Sequence, residues 1–259
     1  MTLRRHILIA STLGAVIILS ACRVDVVIHL DVNANGSGII TLTATADKDI
    51  VTAEPTIATD LRLDDILAAG WKAQKPKPTK DGGLQLVLSH TFPNAATANA
   101  LLAQVSGPKG PLHDLLITRS GKDTNTTWAL AGRLEVTGGL ESFVDDKTLG
   151  LLGGAPYAAE VKRSGLDLGD AVAITFEAVL PGKILATTAS VSNGSLTWRV
   201  PMDGTSINLA STTENLDIAS SVARVAQPVL KLLIALWVIA MLILLGMVIR
   251  AQEKRTPRF

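Results

Sequence analysis

The sequence predicts an α+β domain: a mainly antiparallel β-sheet covered by two or three helices, followed by one C-terminal transmembrane helix. Three observations carry this. Runs of alternating apolar and polar residues recur along the chain, separated by short turns rich in Gly, Asn and Asp. Between them lie stretches with apolar residues at helical spacing, and residues 229–249 are apolar apart from Lys231. Strands joined by short turns must pair antiparallel, because a parallel pair needs a crossover of about a dozen residues or more.

The first strand is Val24-Asp25-Val26-Val27-Ile28-His29-Leu30-Asp31-Val32, with its apolar side chains on one face and Asp25, His29 and Asp31 on the other. Period two with one wet face means a half-buried strand. Asn33-Ala34-Asn35-Gly36-Ser37-Gly38 supplies turn residues and residues 39–45 favour β, so the pair is a hairpin. Residues 47–70 change character. Asp47 and Asp60 are candidate helix caps, Leu61, Leu63, Ile66 and Leu67 recur at helical spacing, and Gly70 sits where a left-handed cap belongs. Trp71 begins an extended piece, and Leu84, Leu86, Leu88 and Phe92 alternate as a further strand. Asn94 caps a helix over 95–105, which the Gly/Pro cluster 107–111 ends. Strands over 115–119 and 127–136 follow. Residues 138–170 interrupt the pattern with seven glycines and an apolar, helical piece over 140–152. Strands resume at 171–180, 185–190, 195–200 and 206–211, separated by turns at Pro181-Gly182, Asn193-Gly194 and Asp203-Gly204.

The two ends of the chain read as membrane signals. Arg4 and Arg5 precede an apolar run of about 13 residues, the length of a signal-peptide core and short of the ~20 that span a bilayer. It ends in Leu19-Ser20-Ala21-Cys22, which matches the lipobox of bacterial lipoproteins. Residues 1–21 are then removed, and Cys22 takes a covalent diacylglycerol and becomes the mature N-terminus. The alternative is an uncleaved signal anchor with an incidental cysteine. At the other end, 229–249 is about 31 Å long as a helix, enough to cross a membrane. Arg250, Lys254, Arg255 and Arg258 follow, so the positive-inside rule places the tail 250–259 in the cytoplasm and the domain 22–228 outside it. Cys22 is the sole cysteine, so the exported domain has no internal disulfide.

Outside residues 1–22 and 229–259 the chain holds 17 basic and 22 acidic side chains, a net charge of −5. That balance, with no basic run interleaved with aromatics, argues against nucleic acid as a partner.

The mature domain resembles the LppM-type lipoproteins of actinobacterial envelopes. Cys22-Arg23-Val24-Asp25, the turn Asn35-Gly36-Ser37-Gly38, Gly70-Trp71, Leu180-Pro181-Gly182-Lys183, and Asn193-Gly194 leading into Thr197-Trp198 carry the likeness. It runs over most of 22–213, and the Gly-rich stretch 138–170 departs from it. The resemblance implies an envelope-facing α+β domain with an apolar cavity for a membrane lipid or glycolipid. It implies no catalysis and no cofactor.

The residues themselves offer no catalytic frame. Gly36-Ser37-Gly38 lacks the wider Gly-x-Ser-x-Gly pattern, and His29, His90 and His113 are scattered without metal-ligand spacing. Asp64-Asp65 and Asp145-Asp146 are adjacent pairs that diverge on a helix, so they read as solvated charge and not as an acid pair. Two non-enzymatic classes remain. In the first, the domain binds an apolar ligand, with Trp71, Phe92, Trp128 and Trp198 as wall residues and Leu149 and Leu151 on a lid over 140–152. The competing reading of those aromatics is that they fill the core. In the second, the domain is a structural or protein-interaction module at the outer face of the membrane, without a small ligand.

Overall fold

The computed structural model describes residues 23–61, 63–107, 109–122, 125–143, 168–216, 230–239, 241–242 and 247. The chain divides into two compact units, Met1–Asn215 and Leu216–Phe259. The first is a mixed α+β unit made mostly of sheet.

Its opening hairpin is β1 (Val24–Val32) and β2 (Gly38–Ala46), paired in unbroken register from Val24↔Ala46 to Val32↔Gly38. The turn is held by Asn35, whose Oδ1 accepts from the Ser37 amide and hydroxyl. Gly36 adopts φ +94°, a conformation that costs a residue with a Cβ. A Cβ at Gly38 would run into the Asp31 carbonyl and the Phe92 ring, so this position too admits only glycine.

Three short helices follow: α1 (Lys48–Ala53), α2 (Ile57–Asp60) and α3 (Asp64–Ala68). Asp47 caps α1 as its position predicts, accepting from the Ile50 amide. Asp60 does not act as a cap. It lies inside α2, and Leu63 precedes α3 without a side-chain bond. Strands β3 (Lys72–Ala73) and β4 (Lys77–Pro78) then pair against β5 (Leu84–Phe92), which itself pairs with β2.

Helix α4 (Ala95–Ser106) is the one long helix among the described residues of this unit. Asn94 caps it by accepting from the Thr97 amide, and Ala98, Leu101 and Leu102 bury one stripe while Val105 packs beside them. Replacing Asn94 with Ala should cost about 1 kcal/mol, read as a fall in the denaturant midpoint with an unchanged slope. Asn99 on the same helix grips the next strand, donating to the Ile117 carbonyl at 3.0 Å and accepting from its amide at 2.8 Å.

That strand, β6 (Leu112–Lys122), starts a second sheet with β7 (Asn125–Leu134). A 3₁₀ turn at Gly139–Phe143 is described at the start of the stretch expected to be helical over 140–152. The rest of that stretch, with Leu149 and Leu151, lies outside the described residues. After a single helical turn, α5 (Leu168–Ala171), the chain alternates between sheets through β8 (Val172–Val179), β9 (Lys183–Thr187), β10 (Ser190–Ser192), β11 (Ser195–Arg199) and β12 (Ile207–Asn215). The first sheet runs β10-β11-β8-β1-β2-β5-β3, with β4 also on β5. The second runs β6-β7-β12-β9.

Three expectations are corrected here. The described residues of the domain form two sheets, where the sequence predicted one. Their buried faces share a single core (Ile28, Leu30, Ile40 and Phe176 from the first; Trp128, Leu130, Leu134 and Leu209 from the second), so the second sheet does much of the covering assigned to helices. The sheet pairing is mainly antiparallel, as predicted, but β1 and β8 pair in parallel, from Val24↔Val172 to Asp31↔Val179. The piece expected as one strand over 185–190 is broken, with β9 in one sheet and β10 in the other. Thr188 is the joint: its hydroxyl oxygen accepts from the Trp198 indole at 2.9 Å and from the Ala210 amide at 3.0 Å, tying both sheets together.

In the second unit, residues 230–239 are helical, and their side chains, apolar apart from Lys231, are exposed, Trp237 at 65 %. No helix among the described residues is long and apolar enough to cross a membrane. The ten residues of this helix amount to about 15 Å, roughly half a bilayer core, and the remainder of 229–249 is only partly described.

Candidate functional site

A cleft of about 340 Å³ opens where α3 and the last turn of α4 overhang the first sheet. Its floor is the register pair Leu42 on β2 and Leu88 on β5, together with buried Trp71. Ile66 and Ala69 form one wall, Val105 the other, and Asp65 and Gln104 stand exposed at the rim. The volume lies near the lower end of the ~300–1,000 Å³ common for ligand sites, and the lining has their usual composition of apolar walls with a few polar groups.

Local sequence explains how Trp71 arrives there. At the end of α3, the Gly70 amide bonds to Leu67 O at 3.0 Å and the Trp71 amide to Ile66 O at 3.2 Å, with Gly70 at φ +90°. This is a Schellman cap, whose usual hydrophobic contact joins the residue after the glycine to the helix's last turn. Here that pair is Trp71 and Ile66, both lining the cleft. The indole is held on two further sides. Its Nε1–H donates to Gln104 Oε1 at 3.4 Å, and His90 meets it edge-on with ring centroids 5.5 Å apart. His90 is itself fixed by Nδ1–H donation to the Thr91 carbonyl at 2.7 Å.

The other aromatics named from sequence are not gathered round this cleft. Phe92 packs over Gly38 in the core. Trp128 is fully buried, bonds through Nε1–H to Thr126 Oγ1 at 3.1 Å, and lies under Gly36 and the Arg119 guanidinium. Trp198 packs against Phe176 at 5.9 Å. Cys22, Leu149 and Leu151 lie outside the described residues. Sequence reasoning passed over Leu42, Asp65, Ile66, Ala69, Leu88, Gln104 and Val105 as cleft residues. The one readable signal was the Gly70-Trp71 step after a short helix.

Two further cavities lie among the described residues. One of about 440 Å³ lies at the bulge in β6, lined by Leu102, Ala103, Gly107, Leu112, His113, Asp114 and Leu115. His113 Nε2 is buried there without a hydrogen bond, 3.8 Å from Glu135 Oε1, and Arg133 lies 3.6 Å from the other Glu135 oxygen. The third, about 320 Å³, has Arg199 and Asp203 among apolar residues. Hydrogen bonds from the Thr205 hydroxyl and amide hold the Asp203 carboxyl below its ordinary range. Among the described residues, no group of three or more His, Cys, Asp or Glu side chains could hold a metal ion. Elsewhere, His29 and Glu177 pair at 3.2 Å on the outer face of the first sheet.

No family model matches the chain, and no curated protein matches it. Among solved structures, the chain is distantly similar to the NMR structure of the folded domain of the LppM protein of Mycobacterium tuberculosis. The match has 13 % identity and a TM-score of 0.40, and covers 77 % of this chain and 94 % of that one.

Proposed function

We propose that this is a membrane-anchored lipoprotein of the cell envelope whose exported domain, without catalysing a reaction, holds a lipid or other apolar envelope ligand in the Trp71 cleft. The observation that carries this is the cleft itself: an apolar floor reaching a buried tryptophan, open at a rim with two polar side chains. Each methylene moved from water into such a site contributes about 0.8 kcal/mol. The anchor has two parts, a diacylglycerol on Cys22 and a span over 229–249 that leaves the tail 250–259 in the cytoplasm. The exposed side chains of the helix over 230–239, apolar on every face apart from Lys231 near its start, support the second part, since a helix that is hydrophobic all round belongs in a core or a bilayer.

The anchoring half is tested by Cys22→Ala. The variant is expected to keep residues 1–21 and lack the lipid, and yet to stay in the membrane fraction through 229–249. A mature mass equal to that of the wild type would refute the lipobox assignment. The ligand half is tested by native mass spectrometry of the full chain released from uncharged micelles, where a bound lipid adduct is expected.

A further inference from the structure

The rim of the Trp71 cleft specifies the kind of head group it accepts, an inference that rests on reading the cleft as a ligand site. Among the described residues that line it, the polar groups are the Asp65 carboxylate and the Gln104 amide, and none is basic. The Trp71 indole N–H is a donor only, so its bond at 3.4 Å turns the Gln104 carbonyl oxygen toward it and leaves the amide NH₂ facing away. No other hydrogen bond engages the Gln104 side chain among the described residues. The rim therefore presents one strong acceptor, Asp65, and one neutral donor, Gln104. A phosphate or carboxylate head would meet Asp65 with no guanidinium or ammonium among the described lining residues to receive it, and anion sites are built from such donors. A hydroxyl can donate to Asp65, and an ester carbonyl can accept from Gln104.

We infer that the cleft selects uncharged acyl esters bearing a free hydroxyl over anionic amphiphiles of the same chain length, and that Asp65 determines this choice. Asp65 is exposed in the first turn of α3, where a substitution usually costs little, so changing it should leave the fold intact.

The test uses the full chain in uncharged detergent micelles, offered 1-oleoylglycerol and oleoyl lysophosphatidate in competition and read by native mass spectrometry. The neutral ester is expected to occupy the protein about tenfold more, equivalent to ~1.4 kcal/mol. Asp65→Asn should narrow that ratio by about threefold or more, and Asp65→Lys should reverse it. Equal or greater occupancy by the phosphate, or a ratio unmoved by Asp65→Asn, would overturn the inference while leaving the cleft as a lipid site. Failure of both lipids to bind would instead remove the lipid reading on which it rests.

Discussion

Trp128→Ala is expected to cost about 3–5 kcal/mol, the range for deleting a large buried aromatic, and so to remove a large share of a typical domain's 5–15 kcal/mol. Its ring is fully buried and belongs to the core that the two sheets share. The indole also supports the first hairpin turn, since the position of a Cβ at Gly36 lies 3.6 Å from the ring, and Arg119 covers it with the guanidinium carbon 5.7 Å from the ring centroid. Truncation would leave a cavity between the sheets and strand the buried Thr126 hydroxyl, which accepts the indole N–H. At ~2–4 °C per kcal/mol for a domain of this size, the thermal midpoint should fall by about 6–20 °C. Trp128→Phe keeps an aromatic ring and should lose clearly less. A small effect of the alanine variant would mean that the sheets do not share one core.

The second large effect concerns the cleft. Ala69→Trp places an indole in the wall from an exposed position beyond α3 with ordinary backbone angles, φ −78° and ψ 4°. A tryptophan carries enough surface to fill much of a cleft this size. Uptake of a single-chain lipid should fall by more than about tenfold, at least ~1.4 kcal/mol. The thermal transition should stay close to that of the wild type, because surface substitutions usually cost within about 0.5 kcal/mol. Uptake equal to that of the wild type would place the lipid elsewhere, with the cavity at the β6 bulge the next candidate.

Much of the local structure was legible. The alternation of 24–32 placed β1 to the residue and the Asn/Gly turn placed β2 to within one residue at each end, and Asn94 and Gly70 each mark a helix end that the structure confirms. Partner choice was not legible. Alternation tells which side chains of a strand are buried, and it is silent on whether a helix or a second sheet buries them. The parallel β1–β8 pair joins segments some 140 residues apart, beyond anything that turn chemistry reports. The break at Thr188-Ala189 contains neither Gly nor Pro, so 185–190 read as one strand, although Thr188 hinges the chain from one sheet to the other.

The site was legible only in part, for the same reason. An aromatic residue on an alternating strand shows equal burial whether it faces a ligand or a neighbouring sheet, and Phe92, Trp128 and Trp198 face neighbours. Trp71 differs because a cap delivers it. The Schellman turn at Gly70 sets it beside nearby Ile66, whereas Leu42, Leu88 and Gln104 reach the same cleft from far along the chain.

The most direct measurement follows the indole N–H resonances of the four tryptophans, Trp71, Trp128, Trp198 and Trp237, while 1-oleoylglycerol is titrated into the full chain in uncharged micelles. Trp71 lines the cleft and bonds to Gln104 at its rim, whereas Trp128 and Trp198 are locked to Thr126 and Thr188 in the core. A saturable shift of the Trp71 resonance, with Trp128 and Trp198 unmoved, is the predicted result. A titration that leaves Trp71 still, or shifts Trp128 or Trp198 instead, would contradict it.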